Sequence, residues 1–148
     1  TEMVASKNLV LLPFISVAAG MQALKFDLVE QAVDLADKAG GMVATTGEVV
    51  AMPEVFRLKA AIAKASGDGE ATQQYLETSL EFAQRQGAKL WELRASVDLA
   101  RLMQEQERTD EAIAILKPVS DSIAEGDCPD DQARARELLN ALTGWGSS

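Results

Sequence analysis

The chain has 148 residues, 47% of them hydrophobic and 25% charged, with 23 acidic against 14 basic side chains and a net charge of −9. That length suits one domain able to bury a sizeable core. The acidic balance disfavours nucleic acid and anionic membrane surfaces, which are gripped through Lys and Arg, and the absence of histidine removes the commonest general base and metal ligand.

From the N-terminus, KNLVLLPFISVAAG (7–20) sets a lysine before a nearly unbroken apolar run. It imitates a secretory signal peptide. It is too short to span a membrane and holds Pro13. The competing reading is a helix buried inside a repeat, and the next segments supply that repeat. VEQAVDLADKAG (29–40) and LETSLEFAQRQG (76–87) match at an offset of 47, pairing Glu30 with Glu77, Val33 with Leu80, Leu35 with Phe82 and Gly40 with Gly87. The same offset carries Leu11 onto Leu58, Ile15 onto Ile62 and Gly20 onto Gly67. The apolar N-terminus is therefore expected to be the first helix of a unit, with a turn at Gly20.

The second unit opens at Pro53-Glu54, where proline loses no needed donor and the acid meets the positive end of the helix dipole. Its turn is expected at Gly67-Asp68-Gly69, and its second helix carries Leu76, Leu80 and Ala83 at helical spacing. An offset of 41 then links Leu58 to Leu99, Ile62 to Met103, Ala71 to Ala112 and Phe82 to Ile123. The difference between the two offsets is assigned to a long loop, GGMVATTGEVVAM (40–52). The third unit turns at Glu107-Arg108-Thr109. DDQARARELLNAL (130–142) follows as a helix whose polar face suits a cap. No strand is signalled. The expectation is an all-α domain over 1–148 with units at about 6–40, 53–87 and 90–125 and a cap at 130–142. The start on Thr1 suggests a piece of a longer protein.

Helix pairs with this turn chemistry resemble tetratricopeptide repeats, although these units exceed the usual ~34 residues. The likeness is closest in unit three, where Ala100 and Ala112 flank the turn and Glu107 stands where such repeats commonly carry a glycine. The resemblance implies an α-α superhelix of three helix pairs plus a C-terminal capping helix, with first helices lining a concave surface. The run RQGAKLWELRASVDLARLMQEQERTDEAIAILKPV (85–119) is similar to the C-terminal repeat region of large bacterial signalling ATPases, of adenylate/guanylate cyclase or transcriptional-regulator type. After Lys117-Pro118-Val119 that family tends to continue with aromatic residues, whereas here the text is SDSIAEGDCPDD. No cyclase or nucleotide-binding segment is present in the sequence.

No catalytic, cofactor or metal residues are called for. GDGE (67–70) lacks the lysine and preceding strand of a phosphate loop. Asp127, Asp130 and Asp131 lack the spacing and bidentate glutamate of a calcium loop and suit a solvated turn. The serines have no base partner. Cys128, the single cysteine, sits among aspartates that oppose thiolate formation and fits a reducing cytoplasm. The expected function is therefore a non-catalytic interaction or regulatory scaffold. Its candidate partner face comprises Arg94, Val97, Arg101 and Gln104, with Phe56 and Arg57 on the unit before. Against this stands a merely solvated face in which Asp98 pairs with Arg94. The expected partner is a protein or another domain of the same chain. The alternative is structural: the apolar first helix (9–19) exposes a face that in an intact chain meets an earlier repeat and in isolation drives homodimerisation, with no separate ligand.

Overall fold

A computed structural model describes residues 2–46, 49–124 and 126–144, and their side chains except those of residues 2–11 and Thr46. The chain adopts the all-α, tetratricopeptide-like architecture of helix pairs. The helices are α1 (Glu2–Lys25), α2 (Val29–Thr46), α3 (Met52–Ala65), α4 (Gly69–Gln86), α5 (Lys89–Glu105), α6 (Thr109–Ser122) and α7 (Pro129–Thr143). A 3-10 turn, Val49–Ala51, leads into α3, and no strand occurs among the described residues.

Contacts divide the chain into two compact units, Thr1–Ser79 and Leu80–Ser148, so the boundary falls within α4. In the first unit α1 packs along α2, and both pack on α3. Val17, Ala36, Ala39, Val55 and Leu58 form a buried cluster, with Met21, Leu24 and Ile62 against it. Each fully buried leucine contributes about 1.5–3 kcal/mol by leaving water. Gly20 lets α1 and α3 approach closely, since a Cβ placed there would lie 2.5 Å from Leu58 Cδ2. The buried Ser79 hydroxyl donates to the Pro53 carbonyl at 2.7 Å, tying α4 to the start of α3. In the second unit α5, α6 and α7 pack on one another around Leu93, Leu99 and Leu116. The Gln132 amide donates to the carbonyls of Ile123 (3.2 Å) and Ala124 (3.1 Å), satisfying acceptors just past the end of α6.

The backbone places the repeat at forty residues. Asp27, Gly67 and Glu107 all take positive φ, at 59°, 78° and 60°. The next residue after each donates back to the carbonyl five before it: Leu28 to Ala23 at 2.9 Å, Asp68 to Ala63 at 2.9 Å and Arg108 to Met103 at 2.8 Å. These are Schellman endings, which satisfy the last carbonyls of the first helix in each pair. Glu107 does take the left-handed turn position that glycine usually fills. The same spacing aligns Ala32, Thr72 and Ala112, then Ala36, Leu76 and Leu116, then Ala39, Ser79 and Val119, and all nine are buried.

Two sequence expectations are corrected. Gly20 is not a turn but lies inside α1, whose turn comes at Phe26–Leu28. The stretch 40–52 is not a long loop, because α2 runs through Gly40 and Gly41 to Thr46, with Val43 buried on it. The reason is geometric. An offset of 47 exceeds the true period by seven residues, which is two helical turns to within about 20°, so the misaligned pattern presents nearly the same face. The offset of 41 errs by one residue, and α5 tolerated it because apolar residues cover most of its circumference.

Candidate functional site

α5 was expected to present a partner face, and its packing decides how much of it remains. Leu93, Ala95, Ser96, Val97, Leu99, Ala100, Leu102 and Met103 are buried, which leaves only a narrow edge of the helix. Val97, a member of the expected face, belongs to the core. Arg94 reaches across to α7, where its Nε donates to Asp131 Oδ1 at 3.2 Å and its Nη2 to Oδ2 at 3.4 Å. Its guanidinium also lies 5.1 Å from the Trp91 ring centroid. Arg94 is thus engaged with Asp131 in holding α7, and Trp91 is half-buried beneath it. Arg101 and Gln104 are exposed and remain available.

In the first unit, Arg57 donates to both Glu54 oxygens, at 2.9 and 3.2 Å. Glu54 itself is buried, so this pair is part of the packing of α3. Phe56 is half-buried, its ring centroid 6.1 Å from that of Tyr75, and the Lys59 ammonium sits 5.0 Å from the Phe56 centroid. At the forty-residue spacing Phe56 and Arg57 correspond to Ser96 and Val97, both buried. The six expected residues therefore form no common constellation within either unit.

The sequence reading missed two open grooves in equivalent places, each between the second helix of a pair and the first helix of the next. One, of about 400 Å³, includes Val33 and Asp37 of α2, Lys59 and Ile62 of α3, and Tyr75 of α4. The other, of about 570 Å³, lies between α6 and α7 and includes Lys117, Asp121, Ile123, Arg136 and Leu139. Both have mixed charge around an apolar floor, without the converging polar groups that a small-ligand site needs. Among the described residues no three His, Cys, Asp or Glu side chains gather to hold a metal ion. No described helix is long and apolar enough to cross a membrane.

The second feature is where apolar surface stays open, which the sequence foreshadowed only in the alternative of an exposed first helix (9–19). Among the described residues the exposed large hydrophobics are Leu12, Ile15, Phe26, Leu28, Val33, Val49 and Val50, every one in the first unit. Leu12, Ile15, Ala19 and Gln22 follow one another along α1 at alternating spacings of three and four, Phe26 continues the spacing just past its end, and all are exposed. They make one stripe on one face. The signal lay in the spacing, but the misplaced repeat register assigned Ile15 to burial.

Comparison with known proteins matches residues 52–118, somewhat under half of the chain, to the tetratricopeptide repeat family model. That segment, α3 to most of α6, is a tetratricopeptide-like repeat region, of a kind that generally mediates protein–protein interaction. No curated protein and no solved structure matches.

Proposed function

We propose that this chain is a non-catalytic protein-interaction module, the helical-repeat part of a bacterial signalling or transcriptional regulator working in the cytoplasm. The repeat match over 52–118 supports the interaction role. The likeness of residues 85–119 to the tails of signalling ATPases supports the regulator setting. The observation that carries the reading is the uncovered apolar stripe of α1 and the turn after it, with Ile15 60% exposed and Phe26 67%. A soluble helix does not normally leave such side chains in series unless something covers them. Arg101 and Gln104 form a second, polar contact edge on α5.

The test is photo-crosslinking in the host cell from positions 15, 26 and 101, with products identified by mass spectrometry. A discrete protein adduct is expected, from another protein or from another domain of the same polypeptide. No adduct from any of the three positions would sink the module reading. The same stripe favours a second reading, a structural homodimer through α1 with no separate ligand. Its check is the mass in solution before and after deleting residues 1–20. A monomer before deletion excludes it.

A further inference from the structure

The forty-residue register says what kind of surface α1 offers. Ile15 corresponds to Val55 on α3, Ala95 on α5 and Ala135 on α7. Ile15 is 60% exposed, whereas each of the other three is 0% exposed. One position along the same face, Leu12 corresponds to Glu92 and Gln132, both buried, and Gln22 corresponds to Leu102 and Leu142, both buried. On α3 the preceding pair, α1 and α2, packs against the helix, and Val17, Ala36 and Ala39 share the buried cluster with Val55. On α7 the preceding pair is α5 and α6, and both pack on it. So the face that stays open on α1 corresponds to one that is buried on α3 and α7, where a preceding pair packs.

We infer that α1 is a docking helix whose occupant is a further hairpin of this same repeat, presented in series as the α1–α2 pair is presented to α3. This rests on the interaction-module reading and names the partner class for its apolar stripe. The occupant must be amphipathic, with uncharged residues at a spacing of three on its contact edge, as Ala36 and Ala39 are on α2 and Leu116 and Val119 on α6. It must be uncharged there because α1 carries no charged side chain from Leu12 until Lys25. A second copy would meet α1 out of series, whereas α3 and α7 each pack on the helix pair that precedes them in the chain. Phe26 and Leu28 lengthen the patch past the turn, where the corresponding residues are polar: Ser66 and Asp68, Gln106 and Arg108.

The experiment compares the 148-residue chain with a chain in which residues 12–51 occur twice in tandem, so that the second α1 follows an α2 in correct register. Urea unfolding is measured for both, each with and without Ile15→Glu, placed in the second copy for the longer chain. Docking predicts a higher unfolding midpoint for the longer chain. Ile15→Glu should lower its folding equilibrium constant at least tenfold while changing that of the original chain less than twofold. Equal insensitivity in both chains, or a duplicated chain less stable than the original, overturns the proposal. The gentler Ile15→Ala variant guards against a glutamate that simply unfolds the longer chain, and it should show the same contrast at smaller size. A dimer of the original chain that Ile15→Glu dissociates overturns it in favour of a second copy. Failure here leaves the module reading standing, since that reading falls only if no partner crosslinks.

Discussion

α1 and α7 are both first helices in the repeat, yet they meet water with opposite chemistry. α7 buries Gln132, Ala135, Leu138 and Leu142 and turns Arg134, Arg136, Glu137 and Asn140 outward. Asp131 holds Arg94 from its first turn. It has the polar outer side that a terminal element of a stacked array requires. α1 buries Val17, Gly20 and Ala23 on one side and exposes Leu12 and Ile15 on the other, with Phe26 exposed just past its end. The difference teaches that the described part of α1 leaves apolar side chains uncovered by its own unit, whereas α7 turns a polar side to water.

The sharpest way to break this contrast is to cut into each side of the first unit separately. Leu58 is fully buried against the Gly20 crossing, so Leu58→Ala should destabilise by about 2–5 kcal/mol in urea unfolding. Ile15→Ala removes a comparable apolar mass from the open face and should stay within about 0.5 kcal/mol of the parent. If the two variants lose similar amounts in a monomeric chain, the exposed face is not open.

Gly20→Val probes the closed side of α1 from the other partner. Its added methyls would meet Leu58, which has no free space to retreat into, and overpacking of that kind costs about 1–3 kcal/mol. Gly40→Ala on α2 is the control, because a Cβ there meets nothing within 4 Å. It should stabilise by up to about 1 kcal/mol through helix propensity. Thermal midpoints moving in opposite directions would confirm that the Gly20 crossing, not helix chemistry, sets the requirement.

For α7 the corresponding cut is Arg94→Ala, which frees Asp131 from its partner on α5. The pair is partly exposed, so the loss should be about 1 kcal/mol or less, and it should shrink further in 1 M salt. Hydrogen exchange should quicken in α7 and not in α2. A uniform change across the chain would mean that the ion pair does not act locally on the cap.

How far the sequence foretold these helices depends on what each position senses. Seven helices, the cap and the absence of strands among the described residues were legible, since apolar period and turn residues are local properties. The repeat register was not. A seven-residue shift leaves a helix face almost unchanged, so Gly20 could be matched to Gly67 although it is Asp27 that shares the positive φ of Gly67. The packing of the expected partner face was hidden for a different reason. The ion pair of Arg94 with Asp131 spans 37 residues, where the sequence offered only Asp98 one turn away, and Val97 is buried because α5 is covered on nearly every side. Arg101 and Gln104 are exposed.

The smallest expected effects distinguish two buried hydroxyls, one in each unit. Ser79 and Ser96 are both fully buried, but only Ser79 has a partner, the Pro53 carbonyl, while Ser96 Oγ has none. A satisfied buried hydrogen bond contributes about 0.5–1.5 kcal/mol, so Ser79→Ala should lose about that much. Burying a hydroxyl without a partner is itself unfavourable, and alanine is the better helix former. Ser96→Ala should therefore be neutral or raise stability by a few tenths of a kcal/mol. Paired urea titrations settle the sign. A loss at Ser96 equal to that at Ser79 would show that the Ser96 hydroxyl has a partner, and the core of α5 would then be specified by polar contact as well as by apolar fit.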